Sequence, residues 1–310
     1  MELDRRLMTR AFFLFLSHQR TLRRWMETSQ ISGKLTKRFI AGRTLEDELR
    51  VCRHLLAENI LSTMDRLGEN VTSLDEAAAS RDAYLEVLES IRESRLPSTV
   101  SIKLTQFGLD FSTEACYENV RQLVCRAKDI GTSIEIDMES SEYTDRTLDI
   151  VARLHKEAGN VRSVLQAYLR RTANDVARLN DLGIAVRLCK GAYDEPHTVA
   201  FAQKSEVDAN YVEMTNRLLD AGRYPAIATH DENMIEAALN HVRERKIGKD
   251  QFEFQMLYGI RRDLQRRLVA EGYRLRLYVP YGEAWYPYFM RRLAERPANV
   301  FFLAKNLLRA

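Results

Sequence analysis

The stretch ANDVARLNDLGIAVRLCKGAY, residues 173–193, contains one complete unit of the fold. Apolar residues recur at three- and four-residue spacing over 173–182, which predicts an amphipathic helix. Gly183 stands where that helix should end, in a position that favours the left-handed conformation of glycine. The short apolar run 184–189 predicts a strand, and the polar sequence KGAY follows its carboxyl end. This stretch therefore predicts a helix, a strand and a polar strand exit.

The same alternation runs through most of the chain. Strands are predicted at residues 59–65, 100–104, 133–138, 162–167, 184–189, 226–230, 252–256 and 275–279. Amphipathic helices are predicted at residues 74–94, 113–130, 144–158, 173–182, 199–221, 232–246 and 260–271, with helix-ending glycines at Gly131, Gly159, Gly183, Gly222 and Gly272. Strands alternating with helices imply parallel βαβ units, and eight units favour an α/β fold of the closed (β/α)8, TIM-like type.

The N-terminal part of the chain has a different pattern. Residues 1–57 are predicted to be helical and to pack on the barrel, which residues 58–310 form together with a C-terminal tail. Thr44 and Asp47 have the spacing of a capping box, which predicts the start of a helix. The short apolar run 11–16 is flanked by arginines. It leaves two alternatives, packing on the body of the protein or lying on an anionic membrane surface.

The composition is that of a globular chain with little charge bias. The 310 residues are 45% hydrophobic and carry a net charge of +3, which does not suggest a nucleic-acid-binding protein. Four cysteines without a Cys-x-x-Cys pair do not form a disulfide framework, so a reducing, cytoplasmic location is expected. The six histidines are scattered, and the chain has neither a zinc motif nor a glycine-rich nucleotide loop. We therefore expect no metal site.

Polar residues stand on every predicted strand, most of them near its carboxyl end. They are Asp65, Lys103, Glu135, Asp137, Gln166, Arg187, Lys190, Thr229, His230, Glu253, Gln255 and Tyr278. Active sites of (β/α)8 barrels lie at this face, so the convergence predicts a functional site. Structural alternatives exist for single residues, since Asp137 could merely pair with Arg187 and His230 could be a core histidine. Lys103, Arg187 and Lys190 outnumber Asp137, which predicts a cationic mouth suited to a carboxylate or phosphate.

A series of motifs, in order, resembles the bacterial proline dehydrogenases. The motifs are MDRLGE at 64–69, SIKLT at 101–105, IEID at 134–137, LQAY at 165–168, VRLCKGAY at 186–193, ATH at 228–230, FEFQMLYG at 252–259, RLYVP at 276–280 and YFMRRL at 288–293. The resemblance implies a distorted (β/α)8 barrel that holds FAD non-covalently and carries its last helix over the barrel mouth. It also implies oxidation of L-proline to Δ1-pyrroline-5-carboxylate, with electrons passed to a membrane quinone.

The resemblance implies roles for residues at the substrate. Arg291, Arg292 and Lys103 would hold the proline carboxylate. Tyr278 would pack against the proline ring and select for its size. Asp137 would orient Lys103 or a neighbouring cation.

Cofactor contacts are implied by the same resemblance. Arg187 would lie against the flavin and stabilise the negative charge of the reduced ring. Glu69 and Arg291 would form an ion-pair gate over the substrate. Further contacts to FAD are implied for Met138, Gln166, Lys190, Gly191, Ala192, Thr229 and His230. Asp231 stands where the family more often has asparagine.

The resemblance is to the stand-alone form of the family, without an aldehyde dehydrogenase domain. A separate pyrroline-5-carboxylate dehydrogenase is therefore expected to take the product, and peripheral contact with the inner membrane surface would suit a quinone acceptor. The oligomeric state and the acceptance of 4-hydroxyproline are left open. Three alternatives are another FAD barrel resembling methylenetetrahydrofolate reductase, a hydrolase or lyase using Asp137 and His230 as acid and base, and a non-enzymatic membrane-surface module.

Overall fold

Eight parallel strands close into a barrel in the computed structural model, which describes residues 38–68, 70–286, 288 and 290. Each strand pairs with the next along the chain, and β8 pairs with β1. The strands are β1 (Leu61–Arg66), β2 (Thr99–Ile102), β3 (Ile134–Ile136), β4 (Val161–Gln166), β5 (Ala185–Cys189), β6 (Ala226–Ala228), β7 (Glu253–Leu257) and β8 (Leu275–Tyr281). The predicted (β/α)8 barrel is confirmed, and every predicted strand overlaps an observed one.

Helices cover the outside of this barrel. They are α1 (Leu45–Ala57), α2 (Leu74–Ser94), α3 (Thr113–Asp129), α4 (Thr144–Ala158), α5 (Thr172–Asp181), α6 (Lys204–Ala221), α7 (Glu232–Arg245) and α8 (Arg262–Ala270). Short 3-10 helices, Leu104–Phe107 and Ser141–Tyr143, follow β2 and β3. No helix within these described residues is long and apolar enough to cross a membrane.

The prediction that α6 begins at residue 199 is wrong by one turn. The chain forms a turn there, with the Val199 N–H bonded to the Pro196 carbonyl oxygen at 3.0 Å. Arg170 donates its backbone N–H to the Val199 carbonyl oxygen at 2.9 Å, and a short antiparallel bridge joins Leu169 to Ala200. The helix begins only after Gln203, which caps it. The segment between β5 and α6 is therefore a long loop at the carboxyl end of the barrel.

Helix ends follow the predicted signals with one exception. The capping box at α1 is confirmed, since Thr44 Oγ1 accepts the Asp47 N–H at 3.2 Å and the Asp47 carboxylate accepts the Thr44 N–H at 3.3 Å. Four of the five predicted cap glycines have positive φ, but Gly222 is extended with φ −79°. A Cβ at Gly222 would lie 2.5 Å from the Leu218 carbonyl oxygen, so close packing explains this glycine.

The segment before α1 departs from the prediction. Residues 38–44 are not helical, so the expectation of helix throughout residues 1–57 is wrong in this part. The Ala41 N–H donates to the carbonyl oxygen of Pro280 at 2.9 Å, which ties the segment to the end of β8. Proline has no N–H of its own, but its carbonyl is free to accept this bond.

α1 fills the outer groove between β8 and β1. It packs against both strands, and Leu49, Cys52 and Leu55 on its inner face are buried in the same apolar core as the barrel. In a regular (β/α)8 barrel the helix that follows β8 belongs in this groove. α1 occupies this groove instead. The placement of the last helix over the mouth, the C-terminal tail and the run 11–16 all lie outside the described residues, so those predictions and the boundary at residue 57 stay predictions.

Candidate active site

Three predicted substrate residues meet at the carboxyl ends of β2, β3 and β8. Asp137 directly follows β3, and its Oδ2 accepts hydrogen bonds from the Tyr278 hydroxyl at 2.9 Å and the Lys103 ammonium at 3.4 Å. The same ammonium lies 3.4 Å from the Tyr278 hydroxyl and 3.7 Å from the Asp65 carboxylate. Asp137 therefore aligns one cation and one hydroxyl on the same side of the barrel.

The Tyr278 hydroxyl is a donor in this cluster. Burial raises the pKa of Tyr278 well above its usual range, and the negative charge of Asp65 raises it further. The hydroxyl therefore keeps its proton at neutral pH and donates a hydrogen bond to Asp137. One face of the Tyr278 ring is also occupied, because the Arg187 guanidinium carbon lies 5.3 Å from the ring centroid, a cation–π distance.

Arg187 extends from the middle of β5 into the barrel. Its Nη2 donates to Asp137 Oδ1. Its Nη1 donates to Glu135 Oε2 and to Gln255 Oε1, both at 3.2 Å. The guanidinium thus spans β3, β5 and β7, and its own exposure is 5%. Such a planar fork is well suited to being held by two carboxylates at once.

Lys190 lies at the exit of β5 and is held by two acids. Its ammonium is 2.5 Å from Asp208 Oδ1 on α6 and 2.8 Å from Asp231 Oδ2 at the start of α7. Burial by itself would raise the pKa of Asp208, but hydrogen bonds from Lys190 and Lys204 outweigh it and hold that pKa below its usual range. The pKa of Asp231 is lowered in the same way by Lys190. The aspartate at 231 therefore has a clear partner.

The predicted cationic excess is wrong for the described part of the chain. Lys103 faces Asp65 and Asp137, and Arg187 faces Glu135 and Asp137. Lys190 likewise has two acidic partners. Each cation of the mouth is thus balanced by carboxylates that come from other strands and helices. The comparison of Lys103, Arg187 and Lys190 with Asp137 alone did not include these other acids.

Close packing explains why the loop after β5 has a glycine at position 191. Gly191 has φ 120°, and a Cβ placed there would overlap the ring of Tyr168. A glycine is therefore required here whether or not a cofactor approaches the backbone. Ala192 is exposed in this loop, whereas Met138 is buried directly beside Asp137.

The remaining predicted cofactor residues surround the exits of β4 and β6. Gln166 Nε2 donates to the Glu139 carbonyl oxygen at 2.9 Å, so this amide joins two strand exits. His230 Nε2 accepts the Leu257 backbone N–H at 2.9 Å, which leaves the ring proton on Nδ1 in neutral histidine. Thr229 is buried beside it. The structure places these residues at the predicted face, and their roles stay predictions.

Residues 49–305 match the family model described as proline dehydrogenase. The chain belongs to the proline dehydrogenase family. It is 41% identical over 301 residues to proline dehydrogenase 2 of Bacillus subtilis, which covers 97% of this chain and 99% of the relative. It is also 41% identical over 280 residues to proline dehydrogenase of Deinococcus radiodurans, covering 89% of this chain and 90% of that protein.

A solved structure supports the same grouping. Proline utilization A from Bdellovibrio bacteriovorus, inactivated by N-propargylglycine, superposes with a TM-score of 0.80 and 27% sequence identity. The match covers 85% of this chain and 33% of the much longer proline utilization A chain. The predicted membership of the bacterial proline dehydrogenases is therefore confirmed.

Three residues that the resemblance placed in a proline dehydrogenase site lie outside the described residues. They are Glu69, Arg291 and Arg292. The proposed gate and two of the three carboxylate-binding cations therefore stay predictions. No group of three or more metal-ligating side chains occurs between residues 38 and 286, residue 69 excepted.

Below the site of this proline dehydrogenase family member, sequence reasoning named Glu253 but missed the buried arginines that pair with it. Arg162 Nη1 lies 2.5 Å from Glu253 Oε1, and Arg276 Nε lies 3.0 Å from the same oxygen. All three side chains are buried inside the barrel. A signal was present, because Glu253 and Arg276 each stand two positions before a polar residue of the same strand. Alternate residues of a strand share a face, so these belong to the barrel interior.

Proposed function

We propose that this chain oxidises L-proline to Δ1-pyrroline-5-carboxylate, with FAD as its cofactor and a membrane quinone as the final acceptor. The observation that carries the proposal is the cluster of Lys103, Asp137 and Tyr278, joined through Asp137 to Arg187. Its support is the family membership together with relatives from Bacillus and Deinococcus that bear the name proline dehydrogenase.

Proline has a carboxylate and a secondary amine, and the proposed site treats them differently. Lys103 holds the carboxylate with a positive charge, assisted by Arg291 and Arg292 from the last helix. Asp137 keeps Lys103 in place, because the ammonium is bound both to it and to Asp65. Tyr278 forms the wall against the proline ring, with its hydroxyl anchored on Asp137.

The donors at the exits of β4, β5 and β6 fit a flavin nucleotide. Arg187 presents a guanidinium near the centre of the mouth, while Lys190 and the more exposed Lys204 present ammonium groups at its edge. Asp208 and Asp231 pair with both ammonium groups, so a pyrophosphate would share these donors with the two carboxylates. A pyrophosphate needs cations and N–H donors of this kind. Further contacts are proposed for Met138, Gln166, Gly191, Ala192, Thr229 and His230. FAD, when bound, supplies the acceptor for a hydride from the ring carbon next to the proline nitrogen.

In this proposal Arg187 stabilises the negative charge that develops on the reduced flavin. A positive charge held in a buried position favours negative charge that develops nearby, and it does so without rearrangement. Because Asp137 and Glu135 both bind the guanidinium, its orientation is set before any ligand arrives.

The site favours a redox enzyme over an acid–base hydrolase or lyase. Both Asp137 oxygens already accept hydrogen bonds, from Arg187, Tyr278, Lys103 and Ser101. His230 Nε2 is occupied by a backbone N–H. Neither group is placed as a general base of the kind that such a reaction requires.

The wider assignments belong to the same proposal. Glu69 and Arg291 gate the substrate, and a separate pyrroline-5-carboxylate dehydrogenase takes the product. A cytoplasmic protein that touches the inner membrane surface would reach the quinone.

Reduction of an artificial electron acceptor by the purified protein with FAD and L-proline tests the activity. The variant Arg292→Met tests the carboxylate role, because it should raise the KM for proline sharply while FAD stays bound. Arg217→Met, which removes an exposed arginine paired with Glu213 on α6, is the matched control. An unchanged KM in Arg292→Met would refute the carboxylate role, and no proline-dependent reduction in the parent would refute the activity.

A further inference from the structure

Glu135 is a fully buried carboxyl group in the middle of β3, one layer below Asp137. Its Oε1 accepts hydrogen bonds from Thr99 Oγ1 at 2.7 Å and Thr63 Oγ1 at 3.1 Å. Its Oε2 accepts from Arg187 Nη1 and from Gln255 Nε2, both at 3.2 Å. Each of these four hydrogen bonds of the Glu135 carboxylate therefore reaches a different strand of the barrel.

The charge state of Glu135 follows from its neighbours. Burial would raise its pKa, but the guanidinium groups of Arg162, Arg187 and Arg276 outweigh burial, and the pKa lies below its usual range. Arg162 Nη1 is 3.5 Å from Glu135 Oε1. Glu135 is therefore an ionised carboxylate that links the site above to the buried ion network below.

Arg187 is held at two edges. Nη2 is bound by Asp137 and by Ser101 Oγ at 3.2 Å, and Nη1 is bound by Glu135 and Gln255. A guanidinium is planar, so fixing both terminal nitrogens fixes its plane as well as its position. Two of these partners are charged: Asp137, which lies at the mouth, and Glu135, which lies one layer below it.

We propose that Glu135 is a positioning residue that fixes the plane of the Arg187 guanidinium and lowers the positive charge it presents to the flavin. This inference rests on the proposed function, because it assigns Glu135 a part in flavin chemistry. Glu253 belongs to the same buried network but reaches Arg187 only indirectly, through Gln255, whose Nε2 it binds at 2.8 Å, or through Arg162 and Glu135. Glu253 therefore offers a matched comparison: the same residue type, equally buried, one residue further away.

The reduction potential of the bound flavin tests the inference. Glu135→Gln keeps the shape of the side chain and removes its charge, so Arg187 becomes a stronger positive charge beside the flavin. Because positive charge favours the reduced, anionic ring, the midpoint potential should rise in Glu135→Gln and change much less in Glu253→Gln. No rise, or an equal rise in both variants, would overturn the inference.

A loss of folding in Glu135→Gln is controlled by a second variant. In Glu135→Gln/Arg162→Met one positive and one negative charge are removed together, so the buried network keeps its charge balance and the fold should recover. The raised potential should persist in this double variant, since Arg187 still lacks the Glu135 carboxylate and keeps only that of Asp137. Recovery of the parent potential together with the fold would show that Glu135 acts only through stability, and would overturn the inference.

A cofactor-independent measurement separates this inference from the proposed function. Urea unfolding of the full-length chain, with and without FAD, gives the coupling between Glu135→Gln and Arg187→Met. Glu135→Gln should lower the folding equilibrium constant about tenfold more when Arg187 is present, the size of one charge-linked hydrogen bond. Additive effects would overturn the inference even in an active enzyme. If Glu135 and Arg187 are coupled but proline does not reduce the bound flavin, the contact between the two residues stands and the proposed function is refuted.

Discussion

Replacing Asp137 by asparagine should destabilise the protein far more than replacing Asp65, although both carboxylates face Lys103. The Asp137 carboxylate accepts hydrogen bonds from Arg187, Tyr278, Ser101 and Lys103. An asparagine amide has one acceptor oxygen and one N–H2 donor, so donors that now meet Oδ1 or Oδ2 would meet another donor.

The magnitude follows from which bonds are lost. Hydrogen bonds to charged groups contribute about 1.5–3 kcal/mol each, and a buried charge left without its partner costs about 3–5 kcal/mol. Arg187 keeps Glu135 and Lys103 keeps Asp65, and the Asp137 side chain is 14% exposed. We therefore expect a loss near the lower limit, about 3 kcal/mol, or roughly 150-fold in the unfolding equilibrium.

Asp65→Asn is the matched control. Asp65 reaches Lys103 at 3.7 Å, and its buried Oδ2 has no hydrogen-bond partner among the described residues. Its loss should cost about 1 kcal/mol or less. Urea unfolding followed by circular dichroism, in saturating FAD, measures both variants. The reasoning is refuted if the two are equally destabilised, or if Asp137→Asn lies within about 0.5 kcal/mol of the parent, the range typical of surface substitutions.

Two further changes test other parts of the site. Gly191→Ala should lower the free energy of unfolding by about 3 kcal/mol, because residue 191 has a positive φ and a Cβ there overlaps Tyr168. Gly183 also has a positive φ but has open space around it, so Gly183→Ala should lower that free energy by about 1 kcal/mol. Equal losses in thermal unfolding would contradict the packing role of Gly191. Asp208 has a lowered pKa, so its pairing with Lys190 stabilises the protein above about pH 4 and that stability is lost as the pH falls through the folded pKa. The Tm of Asp208→Asn should therefore fall less with acidification than that of the parent, and parallel Tm curves would contradict this.

The fold was predictable because each unit carries its own local signals. The run 184–189, its preceding Gly183 and its polar exit were enough to place β5, and the same pattern recurs around the barrel. The errors fall where local signals compete with tertiary contacts. Residues 199–200 have helical spacing but pair with the chain at 169–170, and residues 38–44 are drawn along the end of β8.

The place of the site and the pairs of Asp137 with Lys103 and Arg187 could be expected from the sequence, but the other partners could not. Strand-end polarity located Lys103, Asp137, Arg187 and Tyr278 at one face, since parallel strands all end there. Their pairing depends on distances across the barrel, which local spacing does not contain. For that reason the acids that neutralise Lys190, which come from α6 and α7, were not foreseen.

An anaerobic titration of the FAD-loaded protein with L-proline tests the central claim most directly. Visible flavin absorbance should bleach as proline is added and return when an electron acceptor follows, because the proposed site would hold the proline ring beside the cofactor. Flavin that stays oxidised in L-proline but bleaches with dithionite would contradict the proposed function. In that case Lys103, Asp137, Tyr278 and Arg187 would form a site for some other ligand.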